Sequence, residues 1–151
     1  MSRPEQSADQ FRERISESFA RQTFMRHLGA ELVHVERGVV EIAIARNEML
    51  LQQHGFLHAG VVSSILDSAC GYAALSVMDA DAAVLSVEFK TNLLAPAAGE
   101  RFVAVGTVLK AGRTLTICRG DAFAVEGDTR RLVAAMQATM MTVRGRDGLS
   151  N

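Results

Sequence analysis

The sequence contains no tryptophan and only 5% aromatic residues, so its hydrophobic core has to be built from aliphatic side chains, methionine and phenylalanine. Its two cysteines, Cys70 and Cys118, lie in apolar stretches without the spacing of metal ligands, which predicts buried free thiols. No apolar run approaches the roughly 18 residues of a membrane span, and the N-terminus is polar where a secretory signal would be apolar. We therefore expect a cytoplasmic protein with no membrane partner.

Neither positive nor negative charge is in large excess. Sixteen basic and seventeen acidic residues give a net charge of −1, which excludes the broad basic field of a nucleic-acid-binding protein. The 151 residues suffice for one domain of ordinary size, with 48% hydrophobic and 22% charged residues. We expect a single domain over residues 10–145, with a flexible N-terminus at 1–9 and a flexible C-terminus at 146–151.

Hydrophobic periodicity predicts an α+β chain. Apolar residues every fourth position indicate an amphipathic helix over Gln10–Leu28, which Gly29 can end, and a long apolar stretch predicts a buried helix over Ala59–Met78. The loop Asn47–His58 between them has no clean period. Alternating or apolar runs predict six strands: Ala30–Val35, Val39–Ala45, Val84–Leu94, Phe102–Leu109, Thr114–Val125 and Leu132–Val143. A sheet of about six strands with the long helix across one face buries that helix.

The fifth of these strands contains the sequence Arg119-Gly120-Asp121. Glycine in the interior of a strand is typical of a bulge or a bend, so we expect one there.

Asp67 is the only charged residue of the predicted buried helix. Burying a carboxylate is costly unless it is paired, hydrogen-bonded or used in chemistry. One interpretation is structural: the carboxylate pairs with an arginine elsewhere or bonds to a serine of its own helix (Ser63, Ser64 or Ser68). The other is catalytic, because the start of the helix, His58-Ala59-Gly60, offers free backbone N–H groups suited to a developing oxyanion.

The spacing of these two features has a geometric consequence. Asp67 follows Ala59 by eight residues, so the two backbones are about 12 Å apart along the helix axis. A nucleophile has to approach a carbonyl carbon to about 3–3.5 Å. We therefore infer an active site shared by two copies of the chain, with Asp67 of one copy facing the helix start of the other.

Several short segments in the same order resemble one family. They are Gln52, His58-Ala59-Gly60, Asp67, the strand Leu85–Phe89 leading to Leu94-Ala95-Pro96, and Gly112-Arg113. Over residues 25–143 the chain resembles the hotdog-fold acyl-CoA thioesterases of the phenylacetate-degradation (PaaI) type. The resemblance implies an antiparallel sheet wrapped around a central helix, hydrolysis of an acyl-CoA to a free acid and CoA, and a homodimer or homotetramer.

The resemblance also implies roles for individual residues. Asp67 matches the helix carboxylate that acts as nucleophile or general base, and Ala59 matches the residue whose N–H polarises the thioester carbonyl. His58 matches the histidine that shapes the turn, followed by Gly60. Gln52 matches a polar loop residue that positions water or substrate, and Ser86 lies close to a Ser or Thr that assists the water.

Further matches concern substrate binding. Gly112 and Arg113 match a loop that contacts the nucleotide end of CoA, where an arginine suits phosphate. Tyr72 and Phe56 are predicted to line the acyl pocket, and His54 is either structural or close to the substrate. Ala59 replaces the usual glycine, so its turn has to suit a residue with negative φ. The reaction requires no cofactor, since CoA is part of the substrate, and the four histidines are too irregularly spaced for a metal site.

Two other functions remain open at this point. The hotdog fold also carries acyl-thioester hydratases and dehydratases, which pair a histidine with the acid. The hydratase position, five residues after the acid, is Tyr72 here, whereas His54 with Asp67 could imitate the dehydratase pair. The third possibility is a non-catalytic acyl-CoA-binding module.

Overall fold

The computed structural model describes residues 7–149. The helices are α1 (Ala8–Arg21), α2 (Thr23–His27) and α3 (Ala59–Ser76), and a 3₁₀ turn spans Glu48–Leu50. The strands are β1 (Glu31–Glu36), β2 (Val39–Ala45), β3 (Ala83–Leu93), β4 (Arg101–Ala111), β5 (Leu115–Glu126) and β6 (Thr129–Val143). The predicted α+β architecture is confirmed.

The strands form one antiparallel sheet in the order β1-β2-β4-β5-β6-β3. The chain leaves β2 near one edge and returns at β3 on the opposite edge, so α3 has to cross the sheet between them. Because α3 is apolar on most sides, this crossing buries ten of its eighteen residues against the inner face. The predicted sheet around a long central helix, the hotdog fold, is therefore confirmed.

The predicted single helix over Gln10–Leu28 is interrupted at Gln22. That residue has an extended backbone (φ −73°, ψ 97°) and separates α1 from α2. Its side chain bonds to groups on α3, and this tertiary contact favours a break that local periodicity does not reveal.

The N-terminal boundary also differs from the prediction. Ser7 caps α1 in a capping box with Gln10, so Ala8 and Asp9 are helical rather than flexible. The remainder of the predicted flexible N-terminus, residues 1–6, lies outside the described residues, as do residues 150–151 of the predicted C-terminal segment.

Gly120 does not mark a bulge, contrary to the prediction. Residues 119–121 pair in regular register with β4, and the register shifts lie elsewhere, between Val108 and Lys110 and between Ala122 and Phe123. Gly120 instead allows α3 to approach the sheet: a Cβ there would lie 3.0 Å from Leu66 Cδ2. The glycine therefore reflects close packing of helix on sheet.

Cys70 of α3 and Cys118 of β5 are both buried free thiols, as predicted. The Cys118 Sγ donates to the Cys70 carbonyl at 3.5 Å. Burial raises the pKa of Cys118 to about 12 and raises the pKa of Cys70 as well, so both sulfurs stay protonated at neutral pH. Within residues 7–149, no helix has the length and apolarity required to cross a membrane.

Candidate active site

Asp67 contacts a residue of the edge strand β3. The Ser86 hydroxyl donates to Asp67 Oδ1 at 2.6 Å and lies 3.4 Å from Met140 Sδ. A register shift between Ser86 and Glu88 leaves Val87 as an extra residue in β3, directly after the serine that faces the helix. The sequence resemblance placed Ser86 near the acid, and the structure brings the two together.

The carboxylate is less buried than the sequence indicated. Asp67 is half-buried, because β3 is the last strand of the sheet and leaves this side of α3 uncovered. Of the helix serines that could have bonded to it, Ser64 donates to the Gly60 carbonyl and Ser68 donates to Gln22 Oε1. Among residues 7–149, Asp67 also forms no ion pair with an arginine. The structural interpretation of Asp67 therefore lacks its expected partners.

A cavity of about 280 Å³ opens beside this carboxylate. It is lined by residues of α1, the α1–α2 junction, α3 and β3: Ser18, Arg21, Gln22, Asp67, Ser68, Gly71, Tyr72, Val84 and Ser86. The sequence did not predict the three lining residues of the N-terminal segment, Ser18, Arg21 and Gln22. The only signal for them is that Ser18 and Gln22 are four positions apart and so share a helix face.

Tyr72, which was predicted to line an acyl pocket together with Phe56, lines this cavity and fixes part of its wall, whereas Phe56 does not line it. Its hydroxyl lies 3.3 Å from Ser18 Oγ and accepts a hydrogen bond from Gln22 Nε2 at 3.0 Å. The edge of its ring packs on Phe19, with 5.8 Å between ring centroids. Burial raises the pKa of Tyr72, so the phenol keeps its proton and can serve as a hydrogen-bond donor.

The start of α3 leaves one N–H group available. The His58 Nδ1 accepts the Gly60 N–H at 2.9 Å, and the His58 carbonyl accepts the N–H groups of Val61 and Val62. Within residues 7–149 the Ala59 N–H has no hydrogen-bond partner. Ala59 is the first residue of the helix, and positive φ occurs only at glycines in the described chain, so replacing glycine by alanine is compatible with this turn.

Gly60 is required by the ring that caps the helix. A Cβ at this position would lie 3.0 Å from His58 Nδ1, which is tighter than ordinary contacts. The missing side chain therefore lets the imidazole bond to the Gly60 N–H, and His58 shapes the turn as the resemblance implied.

A second cavity, of about 420 Å³, lies at this helix start. Its lining includes three predicted site residues, Gln52, Phe56 and Ala59, beside residues 93–97, which are the last residue of β3 and the four that follow it. The Gln52 side-chain oxygen accepts the His54 N–H, which fixes the loop. No lining residue is common to the two cavities, so one chain holds the carboxylate and the helix start in separate places.

The other predicted site residues are not brought to either cavity. His54 is exposed in the loop, with its Nε2 3.4 Å from Gln53 Nε2, and is not among the residues that line the Asp67 cavity. Gly112 and Arg113 form the exposed β4–β5 turn, where the Arg113 carbonyl accepts from Arg144 Nη1 at 3.3 Å. Across residues 7–149 no three histidine, cysteine or acidic side chains are grouped as metal ligands.

Comparison with known proteins identifies one family. Residues 54–130 match the family model described as thioesterase superfamily. A putative esterase from Saccharolobus solfataricus is 33% identical over 90 residues, which cover 60% of this chain and 64% of that protein. The medium/long-chain acyl-CoA thioesterase YigI of Escherichia coli is 25% identical over 89% of this chain and 96% of its own length.

Solved structures agree with this result. A thioesterase family protein from Silicibacter pomeroyi is 50% identical, covers 89% of this chain and 99% of its own, and superposes with a TM-score of 0.88. The E. coli PaaI protein superposes with a TM-score of 0.82 over 91% of this chain and 96% of its own, at 17% identity. The likeness to PaaI shows the fold alone and does not assign the chain to the PaaI-type subfamily.

Proposed function

The chain belongs to the thioesterase superfamily, and we propose that its reaction is hydrolysis of an acyl-CoA thioester to a free carboxylic acid and CoA. The observation that carries this proposal is the Asp67 carboxylate, bonded to Ser86 at 2.6 Å beside a cavity. The resemblance of the site residues and the name of the E. coli relative support CoA as the leaving group. Because water and a carboxylate suffice for the chemistry, no cofactor is invoked.

Asp67 is the group that activates the reaction. As a general base it takes a proton from water, whose oxygen attacks the thioester carbonyl carbon, and it later returns the proton to the departing CoA sulfur. As a nucleophile its oxygen attacks the carbonyl carbon and the C–S bond breaks, which releases the CoA thiolate and leaves a mixed anhydride that water cleaves to the free acid and Asp67. In both routes the Ser86 hydroxyl holds Oδ1 in place, and the second carboxylate oxygen remains for the reaction.

The oxyanion is stabilised by the Ala59 N–H of a second copy of the chain. Asp67 and Ala59 of one chain are about 12 Å apart along α3, and they line different cavities. The Ala59 N–H lies at the positive end of a helix, where developing negative charge is favoured. Gln52 and His58 of that second copy complete this half of the site.

The surface beside Asp67 has the character of an interface between copies. Strand β3 is one of the two edges of the sheet and is followed by an exposed leucine, Leu94. Four apolar side chains of β3 and this leucine are 38–58% exposed: Leu85, Val87, Phe89, Leu93 and Leu94. Exposed apolar side chains on an open edge strand favour association. A dimer formed here is the smallest assembly that the proposal requires, and we expect a homotetramer made of two such dimers.

The remaining assignments concern the CoA end and the compartment. We assign Gly112 and Arg113 to phosphate contact, because the exposed Arg113 guanidinium can bind a phosphate bidentately. Both thiols are buried and free, which favours a cytoplasmic enzyme.

Replacing Asp67 with asparagine tests the mechanism. Asp67→Asn keeps the side-chain shape and the Ser86 contact but cannot take a proton or attack, so kcat for thiol release should fall at least about 10³-fold with the fold retained. The matched control is Asp128→Asn, at an exposed turn position, which should keep the wild-type rate. A wild-type rate for Asp67→Asn would contradict the mechanism.

The two alternatives predict different products. A hydratase or dehydratase would change the enoyl absorbance of crotonyl-CoA without releasing thiol, and a binding module would bind acyl-CoA with no turnover. The relatives support hydrolysis over the dehydratase interpretation, since the E. coli relative is named an acyl-CoA thioesterase.

A further inference from the structure

The cavity beside Asp67 has a polar wall formed by the end of α1, the α1–α2 junction and α3. Its polar groups are Ser18, Arg21, Gln22, Ser68 and the Tyr72 hydroxyl. Among the lining residues, Val84 has the only aliphatic side chain. Ser18, Gln22, Ser68 and Tyr72 bond to one another, whereas the Arg21 guanidinium has no hydrogen-bond partner among residues 7–149. A purely apolar acyl chain packed against Arg21 would remove water from this cation without replacing its hydrogen bonds, which is costly.

The size of the cavity suits an acyl group. Its volume of about 280 Å³ corresponds to roughly nine waters at about 30 Å³ each. This volume lies near the lower end of the range for small-molecule sites, about 300–1,000 Å³. Tyr72 follows Asp67 by five residues, about 7.5 Å along α3, which is comparable to the length of a six-carbon chain.

Arg21 is the cation of this wall and is free to bind a ligand. Among residues 7–149 its guanidinium makes no hydrogen bond or ion pair, and it is exposed. The side chain of the neighbouring Gln22, in contrast, makes two hydrogen bonds: its Nε2 donates to the Tyr72 hydroxyl and its Oε1 accepts from the Ser68 hydroxyl. Guanidinium groups bind carboxylates with two parallel hydrogen bonds, and the Ser18–Tyr72 hydroxyl pair, in which one hydroxyl donates to the other, leaves one neutral donor in the same wall.

We propose that the preferred acyl group is short, about six carbons, and carries a carboxylate at the end remote from the thioester, which Arg21 binds. This inference rests on the proposed function, since it assigns the Asp67 cavity to the acyl group. The negative charge of Asp67 opposes a second carboxylate in the same cavity, and the positive charge of Arg21, which also lines the cavity, offsets that repulsion.

A matched pair of substrates tests the proposal. Hexanoyl-CoA and adipoyl-CoA have the same number of carbons and differ in a terminal methyl or carboxylate, and decanoyl-CoA represents a long apolar chain. We expect kcat/KM for thiol release by the full-length enzyme to be at least about 10-fold higher with adipoyl-CoA than with the other two.

Variants at Arg21 assign the preference to that residue. Arg21→Met should lower the adipoyl-to-hexanoyl ratio of kcat/KM at least about 10-fold, and Arg21→Lys, which keeps the charge but loses the two parallel hydrogen bonds, should lower it by a smaller factor. The control Arg26→Met removes the same charge from exposed α2, outside the cavity lining, and should leave the ratio unchanged.

The outcomes separate this inference from the proposed function. Hydrolysis of hexanoyl-CoA that depends on Asp67, without preference for adipoyl-CoA, would overturn the inference and leave the function standing. An adipoyl preference that survives Arg21→Met would also overturn it. Absence of thiol release from all three substrates would contradict the proposed function and this inference together.

Discussion

At the residue scale, the proposed oxyanion binding at the start of α3 depends on a single backbone N–H group, that of Ala59. The Gly60 N–H is occupied by His58, and the N–H groups of Val61 and Val62 bond to the His58 carbonyl. The Ala59 N–H alone is left for the substrate. A substitution that removes this hydrogen and nothing else would therefore isolate its contribution.

Ala59→Pro is that substitution. Proline is well tolerated at the first position of a helix, and His58 before it already has the extended backbone (φ −61°, ψ 136°) that a following proline requires. We predict that kcat falls about 10²–10³-fold, as for loss of one oxyanion donor. Thermal unfolding should show little change in Tm.

The matched control is Ala59→Gly, which keeps the N–H and should keep kcat within a few fold. If Ala59→Pro retained the wild-type kcat while folding normally, the assignment of Ala59 as oxyanion donor would be wrong.

The sequence alone identified some residues of the candidate site and not others. Asp67 was identifiable because a lone acid in an apolar helix is unusual, and Ser86 because of its place in the family pattern. Arg21 was not, since the α3 residues that line the same cavity lie about fifty residues away in the chain and nothing in α1 distinguishes it from other exposed arginines. Only the folded chain reveals which arginine lines the same cavity as Asp67.

At the scale of elements, an arginine of the N-terminal helix bonds to the end of the central helix. The half-buried Arg14 of α1 donates from Nη1 to the Asp79 carbonyl and from Nη2 to the Leu75 carbonyl, both at 2.6 Å. These carbonyls lie at and just beyond the end of α3, where a cation also interacts favourably with the helix dipole. Arg14 therefore fixes α1 as the wall of the Asp67 cavity.

Arg14→Met should destabilise the protein. It keeps much of the apolar stem but loses the charged hydrogen bonds, so the free energy of unfolding in urea should fall by about 2 kcal/mol. Arg12→Met, which removes one exposed bond to the Val35 carbonyl, serves as control and should cost less than about 1 kcal/mol. Equal effects of the two substitutions would show that Arg14 does not hold α1 in place.

Most elements were predictable because their signals are local. Alternating residues specify the strands, and the apolar stretch with His58 before it specifies where α3 begins. The break at Gln22 and the regular register at Gly120 were not predictable, because both follow from contacts with α3, fifty residues or more from each site. Local periodicity carries no information about such contacts.

At the scale of the whole molecule, one active site of the proposed kind requires two copies of the chain. The separation of Asp67 from Ala59 was derivable from their spacing on one helix, and the two cavities now place them apart in the folded chain. The arrangement of the copies was not derivable, since exposed β3 side chains show which surface is available but not what covers it.

The most direct test of this claim combines two inactive chains. Asp67→Asn and Ala59→Pro are co-expressed with different affinity tags, and the mixed dimer is purified through both tags. One of its two sites then contains an intact Asp67 from one chain and an intact Ala59 from the other, while the second site contains both substitutions. The account predicts that the mixed dimer regains about half of the wild-type thiol-release activity, whereas each parent is nearly inactive. Capture of a mixed dimer without activity, or failure to form one, would contradict a shared active site.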